Sequence, residues 1–157
     1  MSNNDPVTVR TAREDDIPAL VELLEEIMAH HAVSPPARDA LTSILLRILD
    51  SPDHVFLAAV SHEEVVGACS LIFSLSTWSA APVCEVQDVV VAARCRTAGV
   101  GRAMLAAAEQ AARDRGCARL FLSAESENLG GHAFYRSLGL REKTVLHFER
   151  DLAGPES

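Results

Sequence analysis

Three consecutive valines, Val89-Val90-Val91, are followed closely by Arg96-Thr97-Ala98-Gly99-Val100-Gly101-Arg102 and then by an alanine-rich helical pattern reaching about Arg115. β-Branched residues in series favour an extended backbone buried on both faces. A strand, a glycine-bearing turn and a helix start in that order build an anion site. The first N–H groups of a helix have no internal partner, and the macrodipole is positive at that end. Gly99 and Gly101 carry no side chain to hold a phosphate away from those donors. Arg96 and Arg102 add charge, and a guanidinium can bind phosphate through two parallel hydrogen bonds. The segment reads as a pyrophosphate cradle. It is not a dinucleotide fingerprint, because Met104 stands where the third glycine of Gly-x-Gly-x-x-Gly would fall, and no Gly-Lys-Ser/Thr of a P-loop follows.

Around this segment the pattern predicts a mixed α/β domain. Val7–Thr11 reads as a first strand. A helix follows over 15–30, with Ile17, Leu20, Val21, Leu24 and Met28 on one face. Ser34-Pro35 reads as the N-cap and first-turn proline of a second helix, whose stripe is Leu41, Ile44, Leu45 and Ile48. Strands are expected at Val55–Val60, Val65–Leu75 and Val83–Val91, the first two joined by a hairpin turn at Ser61–Glu64. The alanine-rich helix has an inner stripe of Val100, Met104, Ala107 and Ala111, and Gly116 terminates it. A strand at Leu120–Ala124, a short helix at Leu129–Leu138 stopped by Gly139, and a last strand at Val145–Asp151 complete the order β-α-α-β-β-β-α-β-α-β. The fold class is a central, largely antiparallel sheet flanked by helices. With 157 residues and no linker or repeat, one domain spanning 1–157 is expected.

These blocks resemble the GNAT superfamily of acetyltransferases. Arg96-x-x-Gly99-x-Gly101 after the valine strand is similar to that family's coenzyme A motif. Asn128, Ala133-Phe134-Tyr135 and Leu138-Gly139-Leu140 are similar to its later Asn…Ala-x-x-Phe-Tyr…Leu-Gly-Phe block. Val9-Arg10-Thr11-Ala12…Asp16-Ile17-Pro18-Ala19-Leu20 is a common opening there. The resemblance implies acetyl-CoA as co-substrate and a sheet splayed between its fourth and fifth strands. The pantetheine arm would lie in the splay, its amides pairing with the backbone of Val89, Val90 and Val91 as an added strand would. One of those amides would face the thioester carbonyl. The diphosphate would rest on Arg96, Thr97, Ala98, Gly99, Val100, Gly101 and Arg102. Thr97 departs from the family's frequent glycine, which bears on the loop's backbone shape. Family members often dimerise, so a homodimer is an expectation of the same origin.

Acetyl transfer to an amine requires that the amine lose a proton, that an oxyanion be stabilised and that the leaving thiolate be protonated. Tyr135, the chain's only tyrosine, is the candidate acid, since a phenol is protonated at neutral pH; the other reading makes Phe134-Tyr135 an aromatic core pair. Asn128 either contacts the coenzyme arm or caps the helix carrying Tyr135. Many family members carry a carboxylate where Gln87 stands. Glu85, two residues earlier and on the same face of an unbroken strand, serves as base through water, attracts a cationic substrate or is simply solvated. A β-bulge, frequent in this strand of the family, would break that parity. Acceptor recognition is expected from the first two helices and the segment 74–81, with Glu25, Glu26, His30, His31 and Trp78 as candidates. Adjacent histidines point in different directions on a helix, so His30-His31 is no metal site, and no metal is expected.

Charge narrows the acceptor. Residues 1–92 hold four Lys/Arg against fourteen Asp/Glu, and residues 93–157 hold ten against eight, giving −10 and +2 within the net −8. A basic half for an anion and an acidic half for a cation suit a small cationic amine, although solvated surface charge alone produces the same asymmetry; the balance counts against nucleic acid. Neither an apolar run of membrane length nor a signal-peptide pattern is present, so a cytoplasmic protein without membrane partners is expected. Cys69, Cys84, Cys95 and Cys117 form no Cys-x-x-Cys pair and read as reduced thiols. Two alternatives stay open: a protein N-terminal or lysine acetyltransferase, and a coenzyme A-binding regulatory module without turnover.

Overall fold

The computed structural model describes residues 6–153 and divides into two compact units, one reaching Ser123 and one starting at Ala124. In the first unit β1 (Thr8–Thr11), α1 (Ile17–His30), α2 (Arg38–Leu49), β2 (His54–Ser61), β3 (Glu64–Ser76), β4 (Ala81–Val91), α3 (Val100–Asp114) and β5 (Leu120–Leu122) follow in order. The strands form one sheet in sequence order, antiparallel except for the parallel β4–β5 pair. This is the expected mixed, largely antiparallel fold.

Alternation along the strands divides the core. Phe56, Ala58, Ala68 and Val90 point to the face covered by Leu20, Val21, Leu24, Leu41 and Leu45 of α1 and α2. Leu57, Val66, Cys69, Leu71, Cys84 and Val86 point to the opposite face, where Val100, Met104 and Ala108 of α3 pack. Burial lifts the Cys69 and Cys84 thiols to about 12 and about 11, so both stay protonated. The β2–β3 hairpin closes through His62 and Glu63, both at positive φ (50° and 64°), as a two-residue turn matching the strand twist requires.

Several boundaries differ from the sequence reading. The helix α2 begins at Arg38, not at Ser34-Pro35. Pro35 precedes Pro36, and a residue before proline is driven out of the helical region, so helix formation waits until the second ring is passed. In α3 the fully buried row is Val100, Met104, Leu105, Ala108 and Ala112, while Ala107 and Ala111 lie at its margin, only partly buried. Gly116, at φ 70°, ends α3 as expected: its N–H donates to Arg113 O, and the Cys117 N–H to Ala112 O.

The second unit contains α4 (Leu129–Ser137). Gly139, at φ 83°, terminates it, with the Leu140 N–H donating to Tyr135 O at 3.2 Å. The strand expected at Val145–Asp151 is not formed. Among the described residues no strand pairs with this stretch, and Val145, Leu146 and Phe148 are all exposed. A lone extended segment neither satisfies its backbone groups nor buries its apolar side chains, so alternation alone does not make a strand.

Asp16 anchors the start of α1. Its carboxylate accepts from Arg10 Nη1 and Nη2 at 2.7 and 2.9 Å and from the Arg13 N–H at 2.7 Å, and it is buried. The Arg10 hydrogen bonds, helped by that backbone donor, hold the Asp16 pKa below its ordinary value against the cost of burial. A depressed carboxylate pKa contributes stability that is complete above the unfolded value and is lost as pH falls through the folded one. Asp16→Ala is expected to cost about 2–3 kcal/mol at neutral pH, short of a fully buried pair because Arg10 is partly solvated. Chemical denaturation should show the wild-type advantage shrinking as pH drops below the ordinary carboxylate range.

Candidate active site

The strand β4 changes partners along its length. Cys84, Glu85 and Val86 pair with Leu120, Phe121 and Leu122 of β5, and beyond Val86 no strand lies along that edge among the described residues. On its other side β4 stays paired to β3 as far as Val91, opposite Gly67. From Gln87 to Val91, therefore, one edge is held while the other lacks a strand neighbour. That edge carries Val89, Val90 and Val91.

The chain then passes through a short 3-10 turn at Ala93–Cys95 and enters α3. Gly99 is the N-cap at φ 81°, and no side chain caps this end. The first intrahelical bond runs from the Ala103 N–H to Gly99 O at 3.0 Å, so the N–H groups of Val100, Gly101 and Arg102 precede the ladder. A Cβ built on Gly99 would meet nothing within 4 Å, so the glycine is required by backbone shape and not by crowding. Thr97 also lies at positive φ (70°), the region where a glycine fits without strain. Arg96 reaches Glu26 at 3.5 Å, and Glu26 accepts from the Ala93 N–H at 2.8 Å.

The sequence assigned nothing to Gly67, yet it fixes this geometry. A Cβ there would stand 2.9 Å from Val100 Cγ1, 3.0 Å from Val90 O and 3.3 Å from Met104 Cε. Its absence lets the first turn of α3 rest directly on β3 and β4. No short motif marks such a glycine, because its three neighbours are distant in sequence.

Glu85 pairs with Ile72 and Gln87 with Ser70. The bulge falls after Gln87, where Ser70↔Gln87 gives way to Ala68↔Val90, so Glu85 and Gln87 keep the common face expected of them. Glu85 is half-buried. Glu25 is committed to Arg38, 2.9 Å from its Nε, and ties α1 to α2, while Glu26 serves the loop before α3. Both candidate acceptor carboxylates thus have partners within the chain. His30 and His31 close α1, and Trp78 stands fully exposed at the β3–β4 hairpin tip. Among the described residues, no three His, Cys, Asp or Glu side chains are grouped to hold a metal.

In the second unit Asn128 is the N-cap of α4, its Oδ1 accepting from the Gly131 N–H at 3.0 Å. Gly131 is needed there, since a Cβ would fall 2.8 Å from Asn128 Cγ. The capping role weighed for Asn128 is thus the one on display. Tyr135 is half-buried on α4, its ring centroid 5.2 Å from that of Phe134 and tilted by 57°.

The profile of the Acetyltransferase (GNAT) family matches residues 17–140. The chain belongs to this family. It is 29% identical over 149 residues to an aminoglycoside N(6')-acetyltransferase type 1 of Stenotrophomonas maltophilia, covering 92% of this chain and 94% of the relative. It is 28% identical over 134 residues to an aminoalkylphosphonate N-acetyltransferase of Salmonella typhimurium, covering 85% and 84%. Among solved structures, an aminoglycoside acetyltransferase from an uncultured soil metagenomic sample, in complex with sisomicin, superposes with a TM-score of 0.79 at 20% identity over 94% of this chain and 97% of that one. The chain is accordingly a GNAT N-acetyltransferase, and the sequence-level resemblance holds.

Two substitutions test this packing and the loop before α3. Gly67→Ala should destabilise the fold by about 1–3 kcal/mol, as overpacking does, because Val90 O is backbone and cannot swing aside, and calorimetric unfolding would read the loss. Thr97→Gly should instead raise stability by about 1 kcal/mol, relief of a left-handed β-branched residue outweighing glycine's added freedom when unfolded. A lower denaturation midpoint for Thr97→Gly would show that the loop is relaxed as it stands.

Proposed function

We propose that this enzyme transfers the acetyl group of acetyl-CoA to the primary amine of a small cationic molecule, by direct attack in a ternary complex. The observation that carries this reading is the strand edge beyond Val86, which runs through a glycine turn into an uncapped helix start. Val89, Val90 and Val91 would pair with the pantetheine amides. Arg96, Thr97, Ala98, Gly99, Val100, Gly101 and Arg102 would hold the diphosphate, backbone donors and arginines acting together. Binding an anion here would compete with Glu26 for Arg96, at modest cost because that ion pair is solvent-exposed.

The acceptor class is supported from two sides. The named relatives act on an aminoglycoside and an aminoalkylphosphonate, both small amines. The acidic charge of residues 1–92 favours a cation on the α1/α2 face of the sheet. Glu85, on that face, would draw the ammonium group in and relay its proton through water. Tyr135 would donate a proton to the departing thiolate, and Asn128 would hold α4 in shape and contact the coenzyme arm. We assign the whole chain to one transferase domain. No helix among the described residues is long and apolar enough to cross a membrane, and four cysteines without a disulfide suit a reducing cytoplasm.

Thiol release with acetyl-CoA against a panel of aminoglycosides, polyamines, amino sugars and aminoalkylphosphonates tests the reading. Turnover confined to small cationic amines is the expected result. Turnover only with peptides would replace the acceptor class, and thermal stabilisation by acetyl-CoA without turnover would leave a binding module. With the acceptor in hand, Tyr135→Phe should lower kcat by roughly 10²-fold, the low end for acid catalysis because a thiolate already leaves well. Unchanged turnover in that variant, with chemistry rate-limiting, removes the assignment.

A further inference from the structure

Just before β4 and β5 part, their register brings an exposed ring beside a free carboxylate. Glu85 pairs with Phe121 in parallel register, one residue before the final pair Val86↔Leu122. Leu120 and Leu122 pack with the α3 side of the core, so Phe121 between them turns to the opposite face, where it is 37% exposed. Glu85 stands on that same face. It pairs with Ile72, and Ile72 pairs with His54, which shares the α1/α2 face with Phe56 and Ala58. The two helices cover the sheet around Phe56, Ala58, Ala68 and Val90, and neither Glu85 nor Phe121 belongs to that packed cluster.

Other polar groups near this face are already committed. Glu25 is held by Arg38, Glu26 accepts from the Ala93 N–H, and His54 Nε2 is joined to the buried Ser70 hydroxyl by a short hydrogen bond. Among the described residues Glu85 makes no hydrogen bond or ion pair. The ring beside it already draws a cation. The guanidinium carbon of Arg119 lies 5.5 Å from the Phe121 centroid, within the range over which a ring quadrupole attracts positive charge. Arg119 is itself exposed, so this contact is weak and exchangeable. Neighbouring strands lie about 4.8 Å apart, so a small organic cation resting on the ring can also reach the carboxylate. The pair stands immediately before the open edge of β4, along which the thioester arm would lie.

We infer that Phe121 and Glu85 form one subsite for the acceptor's ammonium group, the ring face taking its carbon substituents and the carboxylate its charge. Arg119 is the resident cation that the acceptor displaces. The inference rests on the amine-acetylating reading and deepens it, adding a specificity-determining ring to the carboxylate named there. A carboxylate alone attracts any cation. A ring face beside it favours an organic ammonium ion, whose carbon substituents lie against the ring while the charge faces the quadrupole.

The test uses the full chain with two probes: tetramethylammonium chloride, which cannot be acetylated, and an acceptor found in the panel. Tetramethylammonium should shift the ring resonances of Phe121 and compete with the acceptor, whereas sodium chloride at equal ionic strength should do neither. Phe121→Leu should raise the acceptor KM about fivefold while acting far less on kcat. Phe121→Trp, with the stronger quadrupole, should keep that KM at or below the wild-type value. Arg119→Met should lower it about twofold by clearing the ring. Thermal stabilisation by acetyl-CoA reports that each variant is folded. If wild type acetylates no amine, the proposed function falls, and the tetramethylammonium shifts alone decide the subsite. If wild type turns over, an acceptor KM unchanged in Phe121→Leu or raised in Arg119→Met overturns the inference alone. Phe121 resonances that tetramethylammonium leaves in place overturn it in either case.

Discussion

The seat of α3 on the sheet sets everything downstream of it. With only hydrogen at position 67, Val100 and Met104 descend onto the backbone between β3 and β4, and the first turn of the helix is held at the end of β4. The positive end of the helix dipole then follows that strand's open edge after a short turn. Anion binding needs donors fixed before the ligand arrives, since donors that must be ordered on binding lose affinity to their own entropy. Packing of Val100 holds this helix start in place, and its N–H precedes the helical ladder. A flexible glycine loop alone would present the same groups less firmly.

Much of this was legible in the order of the residues. Alternation located β2, β3 and β4 to within a residue or two, because each buries a face against helices. The end signals at Gly116 and Gly139 were equally plain, since both positions need positive φ. The open start of α3 could be read from Gly99 and Gly101 for the same kind of local reason. Where the reading failed, a neighbour in space or in the chain decided the outcome. Val145–Asp151 has the alternation of a strand but no strand beside it, and Ser34-Pro35 has the chemistry of a helix start that Pro36 forbids.

The site was less legible than the fold because its contacts join distant segments. Glu26 read as a candidate for the acceptor, yet it receives the Ala93 N–H from 67 residues away and approaches Arg96. The helix expected to meet the acceptor is thus fastened to the loop expected to meet the coenzyme. Ser70 and His54 are sixteen residues apart and meet only through the β2–β3 hairpin. Asp88 looked like one more strand residue, since nothing in its neighbours' identities signals that the register slips there.

Two non-glycine residues at positive φ, Asp88 and Thr97, bracket the segment that carries Val89 through Arg96. Conformations of this kind cost of order 1–3 kcal/mol each and persist only where surrounding structure imposes them. The register of β3 against β4 imposes the first, for Ala68↔Val90 and Ser70↔Gln87 leave one residue too many between them. The turn from Ala93–Cys95 into Gly99 imposes the second. Between these two points β4 is relieved of β5 on one side while β3 still grips the other. A strand that was regular throughout could have kept β5 beside it to the end, and its edge would then have been satisfied by the protein itself, with no backbone left to offer a ligand.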